Sequence, residues 1–229
     1  MLRRQIRRTG WAISRYVRRA PGTHIYLLIL LVTTAAVQSL HPVVATELLR
    51  QLSTNLTQMG RSAGRVLLLS AFLLDRQSWL EQLILFTAVY VPLERWVGTW
   101  RWLLIVGVSH IVATLVTTVG IWADVRSHRG GLLLAGTIDV GVSYGFFGGL
   151  GFLVWIFRRW WLRVAFAAAT CGFLAVGLIR DSTYTDAGHA AAFAIGCSLY
   201  LVLGPAVTSR RPGSWTKQPR YRHVSGRAH

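Results

Sequence analysis

Apolar residues gather into six long runs along the chain, at roughly 23–45, 79–98, 101–122, 132–157, 161–179 and 187–207. Each is near the ~20 residues that an α-helix needs to cross ~30 Å of hydrocarbon. The pattern therefore predicts six membrane-spanning helices. A shorter run at 66–74, VLLLSAFLL, is too brief to cross. The segment 48–59, LLRQLSTNLTQM, repeats its apolar residues at helical spacing. Together these two predict a loop that lies along the membrane surface. The first run also fits a secretory signal, with an Arg-rich start, the core YLLILLV and the small residues TTAA behind it. Five further runs follow it, which favours a first span.

Composition agrees with the pattern. Of 229 residues 53% are hydrophobic and 14% are charged, where a soluble domain carries about a quarter charged. The class expected is an all-α membrane protein. The net charge of +17 admits nucleic acid as a partner, but 24 of the 25 basic residues are Arg and they sit at the two ends and between apolar runs. That is how the flanks of membrane spans look. No aromatic-interleaved or zinc-type module accompanies the charge, so no nucleic-acid partner is expected.

With a cytoplasmic start, eighteen basic residues fall on inner segments and seven on outer ones. The bias predicts both termini in the cytoplasm and a multi-pass protein of the cell membrane. The division expected is a basic segment at 1–22, a membrane domain at 23–207, and a basic, disordered tail at 208–229 that faces anionic lipid heads. Trp79, Trp122, Trp160 and Trp161 fall at span ends, as aromatic belts do. Cys171 and Cys197 match no metal spacing and read as small buried hydrophobes. Asn55-Leu56-Thr57 matches a glycosylation sequon, too short a signal to weigh.

The polar residues inside the runs carry the candidate chemistry. Residues 139–151 read DVGVSYGFFGGLG. Gly141, Gly145, Gly148 and Gly149 recur at three- and four-residue intervals, so most of them are expected on one helix face, where small residues let another backbone approach. Helix packing alone would account for them. In the sixth run, DAGHAAAFAIGCSLY, Gly188, Ala192 and Gly196 are spaced by four and His189 stands beside the first. An ionisable side chain within a span is costly and marks a functional candidate. Ser143 lies fifteen residues before Arg158 and His189 sixteen before Pro205, about 22 and 24 Å of helix. Serine and histidine thus reach a similar depth, toward the outer face, where a hydroxyl nucleophile with an imidazole base becomes possible.

GVSYG at the fourth run and GHAAAFAIG in the sixth resemble the rhomboid intramembrane serine proteases. LERWVGTWRWL, at the junction of the second and third runs, is similar to that family's glutamate–glycine–hydroxyl signature, fitted by Glu94, Gly98 and Thr99. The resemblance implies a rhomboid-like fold of six core helices and a Ser143–His189 dyad without metal or other cofactor. It also implies structural roles for Gly98, Gly145, Ala192 and Gly196. Substrates or clients would be membrane proteins, bound through their transmembrane helices.

Three features depart from the family. Tyr144 stands where glycine usually follows the serine, and is expected to crowd the oxyanion site beside Gly141. Ser78 and Gln82 occupy the positions of the usual His and Asn oxyanion donors. The Trp-Arg pair of the first outer loop is absent. An inactive rhomboid-like protein that holds client helices therefore stays open as an alternative to proteolysis. So does a small-solute channel lined by Asp139, Ser143 and His189. Asp139 is expected to cap a helix rather than complete a triad, Asp186 to cap the sixth span, and Glu94 to close hydrogen bonds between loop and helix. His110, in the third run, rivals His189 as a candidate base, but is expected to serve packing.

Overall fold

The computed structural model describes residues 16–74, 79–127, 141–180 and 183–208. Residues 1–15, the tail from 209 and the 132–140 part of the fourth predicted span lie outside them. Eight helices follow in order: α1 (Pro21–Gln38), α2 (Pro42–Leu52), α3 (Leu56–Ser70), α4 (Trp79–Val97), α5 (Thr99–Arg126), α6 (Val142–Leu153, continued by a 3-10 turn Val154–Ile156), α7 (Trp160–Arg180) and α8 (Tyr184–Thr208). No strand occurs among the described residues.

Among the described residues four helices are long and apolar enough to cross a bilayer: α1, α5, α7 and α8 as far as Pro205. Their outward faces carry exposed apolar side chains, such as Leu28 and Val32 on α1 and Phe173 and Ile179 on α7, as lipid-facing helices do. The other two predicted spans differ from expectation. α4 has nineteen residues but includes Glu81, Glu94 and Arg95. α6 has only twelve, about 18 Å at 1.5 Å per residue, because it starts at Val142 rather than near residue 132.

The first predicted span is also shorter than expected, ending at Gln38 rather than at residue 45. Pro42 is the cause. The residue before a proline is pushed out of helical conformation, and His41 takes φ −57°, ψ 140° while Pro42 opens α2. α2 and α3 form the segment expected along the membrane surface, as two helices rather than as loop. Asn55 caps α3 by accepting from the Gln58 N–H at 2.9 Å. Its amide nitrogen donates to the Arg50 carbonyl and the Ser53 hydroxyl. With 2% of its surface exposed, Asn55 has no room for a glycan.

α6 is the hub. It packs most extensively on α8 and α5, and also on α4. Three of the four glycines singled out in the sequence share one face, as their spacing suggested, and pack on α5: a side chain on Gly141 would meet His110, one on Gly145 Val106 and one on Gly148 Ser109. Gly149 turns to Tyr90 and Leu93 of α4, and Gly151 to the Phe193 carbonyl of α8. Aromatic rings fill the remaining space between α1, α4, α5 and α6, with Tyr26, Phe86, Tyr90, Trp102 and Phe146 in edge or stacked contact.

Glu94 ties the start of α1 to the junction of α4 and α5. Its carboxylate accepts from the Gly22 N–H at 2.9 Å, the Thr23 N–H at 2.6 Å and the Thr99 hydroxyl at 2.6 Å. Two of those donors are N–H groups of the first turn of α1, which have no acceptor within their own helix. Gly98, at φ 87°, makes the turn that brings Thr99 back onto the carboxylate. Glu94 is buried, so replacing it leaves these donors without water. Glu94→Gln turns one acceptor into a donor that faces an N–H. It is expected to destabilise the protein by about 1–3 kcal/mol, seen as a lower thermal midpoint in detergent. Thr99→Val should cost less, since it removes a donor and strands none.

Candidate functional site

Ser143 is the second residue of α6, one place after Val142. The start of that helix at Val142, which hydropathy alone did not mark, puts the hydroxyl in the first turn. His189 lies in the second turn of α8. The start of α8 is fixed by a capping box. The Asp186 carboxylate accepts from the Thr183 N–H and hydroxyl, while the Thr183 Oγ1 accepts from the Asp186 N–H at 3.2 Å. Asp186 therefore takes part in the cap from inside the helix, reaching back to Thr183. Tyr184 donates to the Asp124 carboxylate and anchors the same end of α8 to α5.

The two helices bring serine and histidine together. His189 Nε2 is 2.8 Å from Ser143 Oγ. The approach depends on the small residues between the helices. A side chain on Gly196 would strike the Gly148 carbonyl, and one on Gly188 would strike Tyr144 and Thr117. Ala192 is fully buried at the same seam. The imidazole lies over the Phe147 ring, with centroids 4.4 Å apart and planes at 36°. Phe147 escaped the sequence reading, although it stands one turn after Ser143 and so shares its face of the helix.

Tyr144 does not crowd the serine, contrary to expectation. Its ring is fully buried and packs edge-on against His189 at 5.6 Å, in a cluster with Ala113, Phe147 and Ala192. Consecutive residues of a helix project about 100° apart, so the ring beside Ser143 points into the protein while the hydroxyl faces the cavity.

That cavity holds about 900 Å³. α4 forms one wall with Gln82, Leu85 and Val89, α7 the other with Phe166, Thr170 and Phe173, and Thr46 and Leu49 of α2 border it. Ser143 and Gln82 both line it. Most of the lining is apolar, broken by a few hydroxyls and the Gln82 amide. This suits an apolar ligand that presents a polar group to Ser143.

The remaining candidates fall elsewhere. Gly141 caps α6 through its backbone and Gly145 packs on α5 and Tyr90. Glu94, Gly98 and Thr99 form the junction already described. Among the described residues His110 makes no hydrogen bond to Ser143 or to another hydroxyl; its ring nitrogens lie 2.8 Å from the Gly141 carbonyl and 2.8 Å from the Leu67 carbonyl. Ser78 and Asp139 lie outside the described residues. Cys171 is exposed, against expectation, because α7 turns nearly all of its surface outward. Cys197 is half-buried, its thiol donating to the Gly151 carbonyl.

A family model described as rhomboid-like protein matches residues 15–210. No curated protein and no solved structure matches the chain.

Proposed function

Since the chain belongs to the rhomboid-like protein family, we propose that it is an intramembrane serine protease, hydrolysing peptide bonds in or beside the transmembrane segments of other membrane proteins. The observation that carries this reading is the 2.8 Å approach of His189 Nε2 to Ser143 Oγ at the edge of a largely apolar cavity. A hydroxyl within hydrogen-bond reach of an imidazole base has the geometry of an activated nucleophile.

Ser143 Oγ attacks the scissile carbonyl carbon as its proton passes to His189 Nε2. The C–N bond then breaks, and the departing amine takes that proton. A water molecule, deprotonated by the same nitrogen, attacks the acyl carbon, and collapse returns the proton to Ser143 with release of the carboxylic acid. The oxyanion of each tetrahedral intermediate is held by backbone N–H groups around Ser143 and by the Gln82 amide. The space between α4 and α7 admits the client segment. Phe147 and Tyr144 hold the imidazole in place from the protein side.

In this reading six segments cross the bilayer with both termini in the cytoplasm, as the distribution of arginines supports. α4 spans with the Glu94 carboxylate satisfied by its three hydrogen-bond donors, and α6 is a short central helix shielded from lipid by α4, α5 and α8. Arg158 and Arg159, exposed beside Trp160 and Trp161, meet anionic headgroups at the inner face.

The test is cleavage in proteoliposomes of single-span substrates that carry small and helix-weakening residues near the membrane boundary. Fragments whose new ends fall within or beside the span are the expected result. Intact substrate under every condition would contradict it. Gln82→Ala should slow cleavage by ~10²–10³ while substrate still co-purifies. An unchanged rate would remove Gln82 from the oxyanion site.

A further inference from the structure

His110 faces two carbonyl oxygens. Its Nδ1 lies 2.8 Å from the Gly141 oxygen and its Nε2 lies 2.8 Å from the Leu67 oxygen. A carbonyl only accepts, and a neutral imidazole has a single N–H; only the doubly protonated ring donates to both. The contact with Gly141 is so close that a side chain there would overlap the ring. Leu67 belongs to the last turn of α3, whose carbonyls lack intrahelical donors. The end of a helix where those carbonyls point also favours a cation.

We propose that His110, carrying a proton on each ring nitrogen, is a positioning residue that clamps the end of α3 to the residue preceding α6, and so holds Ser143 in reach of His189. Its relation to Ser143 rests on the function proposed above; the clamp itself does not. Gly141 is two residues before Ser143, and its carbonyl also accepts from the Tyr144 N–H at 3.1 Å. A shift of Gly141 thus moves the first turn of α6.

α3 presents the Leu67 carbonyl, which also takes a long 3.4 Å contact from the Ser70 hydroxyl. α6 presents the Tyr144 ring at 6.5 Å, with His189 on its far side. Among the described residues no carboxylate stands within ion-pair distance of His110.

The direct test is nitrogen NMR of protein with ¹⁵N-labelled histidine in lipid nanodiscs, with His110 assigned by the signals that His110→Gln removes. Two protonated ring nitrogens at neutral pH are expected. One bare nitrogen would overturn the proposal. His110→Ala should slow phosphonylation of Ser143 by a fluorophosphonate on the order of 10²-fold, the scale of a 1 Å misplacement. His110→Gln, which keeps a donor, should restore part of that rate. A rate in His110→Gln no higher than in His110→Ala would also overturn the proposal. A doubly protonated ring in a protein that takes no fluorophosphonate upholds the clamp and sinks the protease reading alone.

Discussion

Ser143→Ala and His189→Ala are each expected to reduce cleavage of a membrane-embedded substrate by about 10⁶-fold, and the double variant by no more than either alone. The reasoning is that nucleophile and base act as one unit. Without the imidazole, the hydroxyl keeps its proton at neutral pH; without the hydroxyl, the imidazole has nothing to activate. Neither change should disturb the fold. Ser143 stands at a cavity wall, and His189 remains backed by Phe147 and Tyr144 in the serine variant. Initial rates in proteoliposomes, together with thermal unfolding in detergent, separate loss of chemistry from loss of structure. Multiplying losses in the double variant would mean that the two residues act independently, contrary to the dyad.

The second large effect concerns packing. Gly196→Ala would drive a methyl group into the Gly148 carbonyl. Two backbones meet there and neither has a rotamer to change, so the helices must part. Overpacking of this kind costs about 1–3 kcal/mol. The separation would also be felt at the dyad, because Ser143 and His189 ride on the two helices that Gly196 and Gly148 join. A displacement near 1 Å costs on the order of 10²-fold in rate. Gly172→Ala on α7 is the control, since no atom lies within 4 Å of its added carbon. It should leave both stability and rate close to wild type. Equal thermal midpoints for Gly196→Ala and Gly172→Ala would contradict the close-packed seam.

Much of this was legible in the sequence, for identifiable reasons. Apolar runs of span length report burial in lipid directly, so α5, α7 and α8 appeared within a few residues of their ends. Glycine and alanine at intervals of four marked α8 as a close-packing helix. His189 and Ser143 were singled out because polar groups are costly in hydrocarbon. Helix rise put the two at a similar depth, and the resemblance to rhomboid proteases added their pairing as a dyad.

Other features were hidden. The break at His41–Pro42 was masked by apolar residues on both sides, because hydropathy does not register a backbone turn. The start of α6 at Val142 followed no loss of apolar character, so hydropathy alone placed that boundary near residue 132. The glycine spacing marked the face that packs on α5, but a linear pattern could not say which helix would meet it, nor that Gly149 and Gly151 turn to α4 and α8. Tyr144 looked obstructive because the direction of its ring depends on the helix phase, which the tertiary packing fixes. His110 was set aside as packing; its two carbonyl partners lie 43 and 31 residues away, beyond any local motif.

The most direct measurement of the central claim is peptide mapping by mass spectrometry after treating the purified protein in lipid with a fluorophosphonate. A covalent adduct on Ser143, absent after the same treatment of His189→Ala, is the result predicted. A wild-type protein that carries no adduct on Ser143, or a Ser143 adduct that forms equally well in His189→Ala, would contradict it.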